Sequence, residues 1–136
     1  MASIVLVRQG MSEESEGLKR RTMQFALNVC GLLRQLPSAE PGPTVRRQLA
    51  KSATGVAFNY RASCRSRSHD EFTARIGVVA EEADEAQGWL EFIRDAKLMF
   101  SPTLEQLVGE SGELTAIFSA SVGTARAKQG SKRRIK

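Results

Sequence analysis

The chain has 136 residues, 41% hydrophobic and 26% charged, which suits one domain with one core and excludes a collagen-like or generally disordered chain. Twenty Lys and Arg against fifteen Asp and Glu give a formal charge of +5, a weak pointer by itself to an anionic partner. No apolar run approaches the roughly 18 residues that cross a bilayer, and MASIVLVRQGM is too short and too poor in basic residues for an export signal, so a cytoplasmic protein is expected.

Residues 1–15 read as a loose arm or an edge strand. The first helical pattern runs from about Glu16 to Leu36, with Leu18, Thr22, Phe25, Val29, Leu32 and Leu36 on one stripe. LPSAEPGP stops it, and Pro43 suits the first turn of the next helix. That helix is expected to reach about Arg67, with Val45, Leu49, Val56, Tyr60 and Ser63 facing inward. SHDE then offers Ser68 as an N-cap and Glu71 as its reciprocal partner. The third helix presents Phe72, Ile76, Val79, Ala83, Ala86, Leu90 and Ile93 to the core. FSPTLE closes it, with Ser101 as cap and Pro102 in the first turn of the last helix. There the expected inward residues are Leu104, Leu107, Leu114, Ile117 and Ser121, and Gly109 and Gly112 mark a kink or a close contact. KQGSKRRIK has no apolar face, so residues 129–136 read as a disordered basic tail after a 16–128 domain.

Four helices with short connections predict an all-α, antiparallel up-down-up-down four-helix bundle. This topology gathers the start of helix one, the end of helix two, the start of helix three and the tail at one end. Lys19, Arg20, Arg21, Arg61, Arg65, Arg67, Arg75, Arg126, Lys128 and the tail bases Lys132, Arg133, Arg134 and Lys136 fall there. Against them stand Glu13, Glu14, Glu16, Asp70 and Glu71, leaving about +8 at that end and about −3 elsewhere. Such a field suits the phosphate contacts of nucleic-acid binding. The bland alternative pairs Arg75 with Glu71 and Arg65 with Asp70 in ordinary surface ion pairs. The same topology puts Cys30 and Cys64 over ~20 Å apart along the bundle, beyond disulfide reach.

Two readings stand for Phe58, which shares a stripe of helix two with Arg47, Lys51, Arg61 and Arg65. It stacks a base among phosphate contacts, or it packs on a neighbouring subunit while Lys51 bridges Asp84. Glu81, Glu82, Asp84 and Glu85 form an acidic cluster on helix three, but the single His69 sits at a turn, so no di-iron set is expected. Glu110 and Glu113 follow this cluster rather than precede it, which does not fit the order of an all-α nucleoside triphosphate pyrophosphatase. GESGE is no nucleophile elbow. No catalytic residue, metal or cofactor is expected, and the acids pair with helix two or across an interface. Val78, Trp89 and Phe92 make a second apolar stripe on helix three that favours self-association.

The stretch QLAKSATGVAFNYRASCRSRSHDEFTARIGVVAEEADEAQGWLEF resembles the four-helix bundle proteins encoded in bacterial 23S ribosomal RNA intervening sequences. It is similar also to their relatives, the accessory variability proteins of diversity-generating retroelements. The residues that carry the likeness are Ser52, Val56, Asn59, Tyr60, Arg61, Cys64, Arg65, Arg67, Glu71, Phe72, Glu82, Ala83, Asp84, Glu85, Trp89 and Leu90. LKRRTMQFALNV and LTAIFSASVGTAR resemble the family's first and last helices. The resemblance implies a homopentameric barrel with a basic surface, and for the retroelement members nucleic acid and a reverse transcriptase as partners. Ala62, where many relatives have Glu, and Phe58, where a small residue is usual, depart from the pattern.

The expected function is therefore a non-enzymatic oligomeric accessory protein that binds RNA or DNA, with a reverse transcriptase or ribosomal RNA as context. Arg20, Arg21, Arg61, Arg65, Arg67, Arg126 and Lys128 are its candidate nucleic-acid contacts. Phe58, Val78, Trp89 and Phe92 are its candidate interface. The alternative is a structural or adaptor oligomer whose basic end docks an acidic protein.

Overall fold

Four helices follow in order, α1 (Ala2–Leu33), α2 (Gly42–Ser63), α3 (His69–Asp95) and α4 (Pro102–Ile135). They come from a computed structural model that describes the backbone of residues 2–135 and the side chains of residues 13–131. There is no strand among the described residues. Each helix packs on the next and α4 returns to α1 across the most open seam, while diagonal pairs keep their backbones apart. The short connections reverse the chain each time, giving the expected up-down bundle.

The first three stripes form the core as their spacing predicts. Phe25, Val29, Leu32, Val45, Leu49, Val56, Ile76, Val79, Leu90 and Ile93 are all buried, and Leu18 and Phe72 pack at the edge. Tyr60 is buried against Phe118, ring centroids 5.3 Å apart, and burial pushes its hydroxyl up to about 12.

In α4 the observed register differs from the expected one. Beyond Leu114 the buried residues are Phe118, Val122 and Ala125, whereas Ile117 and Ser121 lie half-buried at the side. Ser111, absent from the sequence stripe, is buried and donates to the Val108 carbonyl at 2.8 Å. A stretch rich in Ser, Gly, Ala and Thr has little hydrophobic contrast around its circumference, so its neighbours choose the face. Neither Gly109 nor Gly112 breaks the helix, and Gly112 sits beside the Gln87 side chain of α3.

Helix ends shift too. α2 stops at Ser63 rather than near Arg67, so Arg65 and Arg67 lie in the connection to α3. Ser63 Oγ donates to the Tyr60 carbonyl at 2.6 Å and Ser66 Oγ to the Ser63 carbonyl at 2.7 Å, in local competition with helix continuation. α1 starts at Ala2 and α4 ends at Ile135, so backbone helix continues into the segments read as arm and tail. Neither segment contains a proline to stop it. The side chains of residues 1–12 and 132–136, including the tail bases, lie outside the described residues.

The connections have local causes. Ser68 Oγ accepts the Glu71 N–H at 3.0 Å, while the Glu71 carboxylate receives the Arg67 N–H at 3.3 Å instead of that of Ser68. Ser101 Oγ accepts the Thr103 N–H at 3.2 Å. Arg46 of α2 donates to the carbonyls of Leu33 and Leu36, supplying positive charge at an α1 end with no basic residue in its own last turn. Gly42 is required by closeness, because a Cβ there would stand 1.9 Å from the Pro37 carbonyl oxygen. Cys30 and Cys64 are free and exposed.

α3 ends in a Schellman turn, with Leu98 N–H bonded to the Ile93 carbonyl at 3.0 Å and Lys97 N–H to that of Arg94 at 3.1 Å. Lys97 occupies the left-handed position, φ 57°, where glycine meets no Cβ penalty. Lys97→Gly is therefore expected to stabilise the fold by up to about 1 kcal/mol, read as a higher denaturant midpoint with an unchanged slope. A lower midpoint would show that the lysine side chain contributes more than its backbone costs.

Candidate nucleic-acid interface

The end of α2, the connection and the start of α3 enclose an open groove of about 380 Å³, lined by Phe58, Arg61, Ala62, Arg65, Arg67, Glu71 and Arg75. The Arg75 guanidinium bonds Glu71 at 2.9 Å. Arg61, Arg65 and Arg67 form no ion pair among the described residues, although every acidic side chain is described. Three exposed guanidinia thus share one groove whose only carboxylate is engaged. Arg61 also lines an adjoining groove with Lys19 and Arg20 of α1. There Glu16 pairs with Lys19. The two grooves meet at Arg61.

The other expected contacts lie elsewhere. Arg21 is turned to the α1–α4 seam, where it donates to Glu110 at 2.9 and 2.6 Å and to Glu113 at 2.7 Å. Hydrogen bonding with Glu110 raises the Arg21 pKa and holds the Glu110 carboxyl below its ordinary range. Arg126 sits in the α3–α4 groove with Glu81 and Asp84. Lys128 lines a further α3–α4 groove with His69 and Phe72, next to the His69 Nε2 contact to the Ala125 carbonyl at 2.9 Å. Asp70 accepts from Gln129 at 2.8 Å. Arg75 and Lys19 line these grooves although neither stood among the candidate contacts. Each is held by an acid on its own helix, Arg75 by Glu71 and Lys19 by Glu16.

On α3, Val78, Glu82, Glu85, Trp89 and Phe92 follow at alternating spacings of four and three on one face. Val78 and Phe92 are 40% and 43% exposed, and Trp89 is half-buried and meets Phe92 in a T-shaped pair, 5.7 Å between centroids at 74°. Glu82 lies over Gly55 of α2, with one buried carboxylate oxygen that has no hydrogen-bond partner. The Lys51 charge acts on Glu82, and no Lys51–Asp84 ion pair forms. The described residues contain no group of three or more His, Cys, Asp or Glu placed to hold a metal ion.

Burial, then the Glu85 charge, hold the Glu82 carboxyl above its ordinary value of 4.5, with Lys51 pulling it down. Folding therefore favours the protonated form. That contribution is complete below the unfolded-state pKa and disappears as pH rises through the folded value. Glu82→Gln, neutral throughout, is expected to melt higher than the parent at pH 7 and equally at pH 4. A difference independent of pH in paired thermal melts would refute this.

The fold is an all-α four-helix bundle with an arginine-lined groove at the α2–α3 turn. A crystal structure of a protein with unknown function from the S23 ribosomal protein family of Bacteroides thetaiotaomicron VPI-5482 shares that fold with a TM-score of 0.69. The match covers 77% of this chain and 97% of that one at 20% identity, a level that speaks for fold alone. No family model and no curated protein matches the sequence. Among the described residues no helix is long and apolar enough to cross a membrane.

Proposed function

We propose that the chain is a non-enzymatic accessory protein that binds nucleic acid through its basic end and works as a homo-oligomer in the cytoplasm. The observation that carries this reading is the groove of Arg61, Arg65 and Arg67, three guanidinia gathered without carboxylate partners. A structural ion-pair network would leave few such groups unpaired, whereas a phosphate-binding surface requires them. The fold shared with a member of the S23 ribosomal protein family agrees with a helical bundle, and it is the sequence resemblance to the 23S intervening-sequence proteins that suggests ribosomal RNA or a reverse transcriptase as context. Self-association, as a five-membered ring by the sequence resemblance, draws on the exposed Val78–Trp89–Phe92 face.

Anisotropy titrations with labelled RNA and DNA across a salt series test the binding. The expected result is affinity that falls steeply and linearly in log–log form as salt rises. Absence of binding at low salt would overturn the reading in favour of an adaptor for acidic proteins. Light scattering at micromolar concentration is expected to report an oligomer, and a monomer would remove the assembly part.

A further inference from the structure

We propose that the arginine groove holds one unpaired nucleotide, with its base stacked on Phe58 and its flanking phosphates among Arg61, Arg65 and Arg67. This rests on the nucleic-acid reading above and narrows it to single-stranded or looped strands.

Phe58 is 58% exposed, although its α2 neighbours Val56, Ala57 and Tyr60 are buried. Exposure alone does not distinguish this ring, since Phe100 is 84% exposed, but Phe58 lines the same groove as the three unpaired guanidinia, the pairing that a stacking platform beside phosphate contacts requires. Ala62, half-buried and without a long side chain, leaves room between Phe58 and the arginines. The groove, about 380 Å³, falls within the range of small-molecule sites of about 300–1,000 Å³. Glu71 is the one acid on its wall, and its carboxylate already receives the Arg75 guanidinium and the Arg67 N–H. An anion entering the groove therefore meets little uncompensated negative charge.

The ring decides which strands fit. In a duplex the faces of the bases are covered by their neighbours, so a duplex offers the arginines phosphates and Phe58 nothing. An unpaired base offers a free face, and stacking tolerates any base because each has a π surface. Phosphate contacts then give affinity, and the ring gives preference for unpaired strands.

The experiment compares a labelled short single strand with a duplex of the same sequence, using the oligomer formed by the full chain. Phe58→Ala is expected to weaken single-strand binding about 5- to 150-fold, the span of one base stacked on one ring. Duplex affinity and the salt slopes of both are expected to stay unchanged, and Phe58→Tyr should restore single-strand binding. Unchanged single-strand affinity in Phe58→Ala, with binding otherwise intact, overturns the stacking and leaves the phosphate reading standing. Equal losses for both strand forms, or a smaller particle by light scattering, overturn it by making Phe58 a subunit contact. A parent protein that binds neither strand overturns both proposals.

Discussion

Phe118→Ala is expected to destabilise the protein by about 3–5 kcal/mol, a large part of the roughly 5–15 kcal/mol available to a domain. The ring is fully buried and meets Tyr60 at 5.3 Å with a 44° tilt. It reaches from α4 to α2 across the bundle diagonal, where the backbones do not approach each other. A cavity at that point cannot close by a small shift of one helix, so both transfer and cavity costs apply. Ile117→Ala, one residue away and only half-buried, is expected to cost under about 2 kcal/mol. Urea denaturation of the two variants checks the order. If Ile117→Ala proves the more damaging, the inward face of α4 is the one its sequence stripe suggested.

The double variant Arg61→Ala/Arg65→Ala should lose nucleic-acid affinity and salt sensitivity together. Each phosphate contact removed lowers the log–log salt slope by about 0.7 for single strands or 0.9 for duplex. Two contacts therefore reduce the slope by about 1.4–1.8 for each engaged copy, equivalent to roughly tenfold in affinity between 50 and 200 mM salt. Repetition of the groove around an oligomer multiplies the loss, since avidity compounds weak sites. Stability should move by no more than about 0.5 kcal/mol, because both side chains are exposed and neither forms an ion pair. Arg21→Ala provides the contrast. It breaks three hydrogen bonds across the α1–α4 seam and is expected to lower the melting temperature while leaving the salt slope unchanged. A double variant that binds like the parent but unfolds easily would make Arg61 and Arg65 structural.

Ser68, Ser101, the proline turns and the apolar stripes of the first three helices were legible because each depends on local chemistry or on strong periodic contrast. A capping hydroxyl needs only the N–H two or three residues onward, and Leu, Ile, Val and Phe at helical spacing leave one face to bury. Local pattern also indicated that Arg61, Arg65 and Arg67 would gather at one end, since helix order and short turns dictate which termini meet. Arg21 could not be read this way. It stands in a basic run at the same end, but its partners are 89 and 92 residues away on α4 and become neighbours only when α4 returns. The stripe of Phe58 with Arg61 and Arg65 was legible on α2, but the groove that Phe58 shares with Arg75 exists only after α3 folds back along α2.

By itself, then, the sequence determined four helices, their reversals, most of the core and the gathering of Arg61, Arg65 and Arg67 at the α2–α3 turn, all consequences of interactions within a few residues or of strong amphipathic contrast. The tertiary structure alone decided the face of α4, the withdrawal of Arg21 into the α1–α4 seam, the unpartnered Glu82 oxygen and the closing of the Phe58 groove by Glu71 and Arg75 of α3. In α4 the Ser-, Gly- and Ala-rich surface differs too little from face to face to select an orientation, so packing against α1 and α3 selects it. For the charged groups, the range of an ion pair is a few ångströms in space, and separation along the chain does not report it.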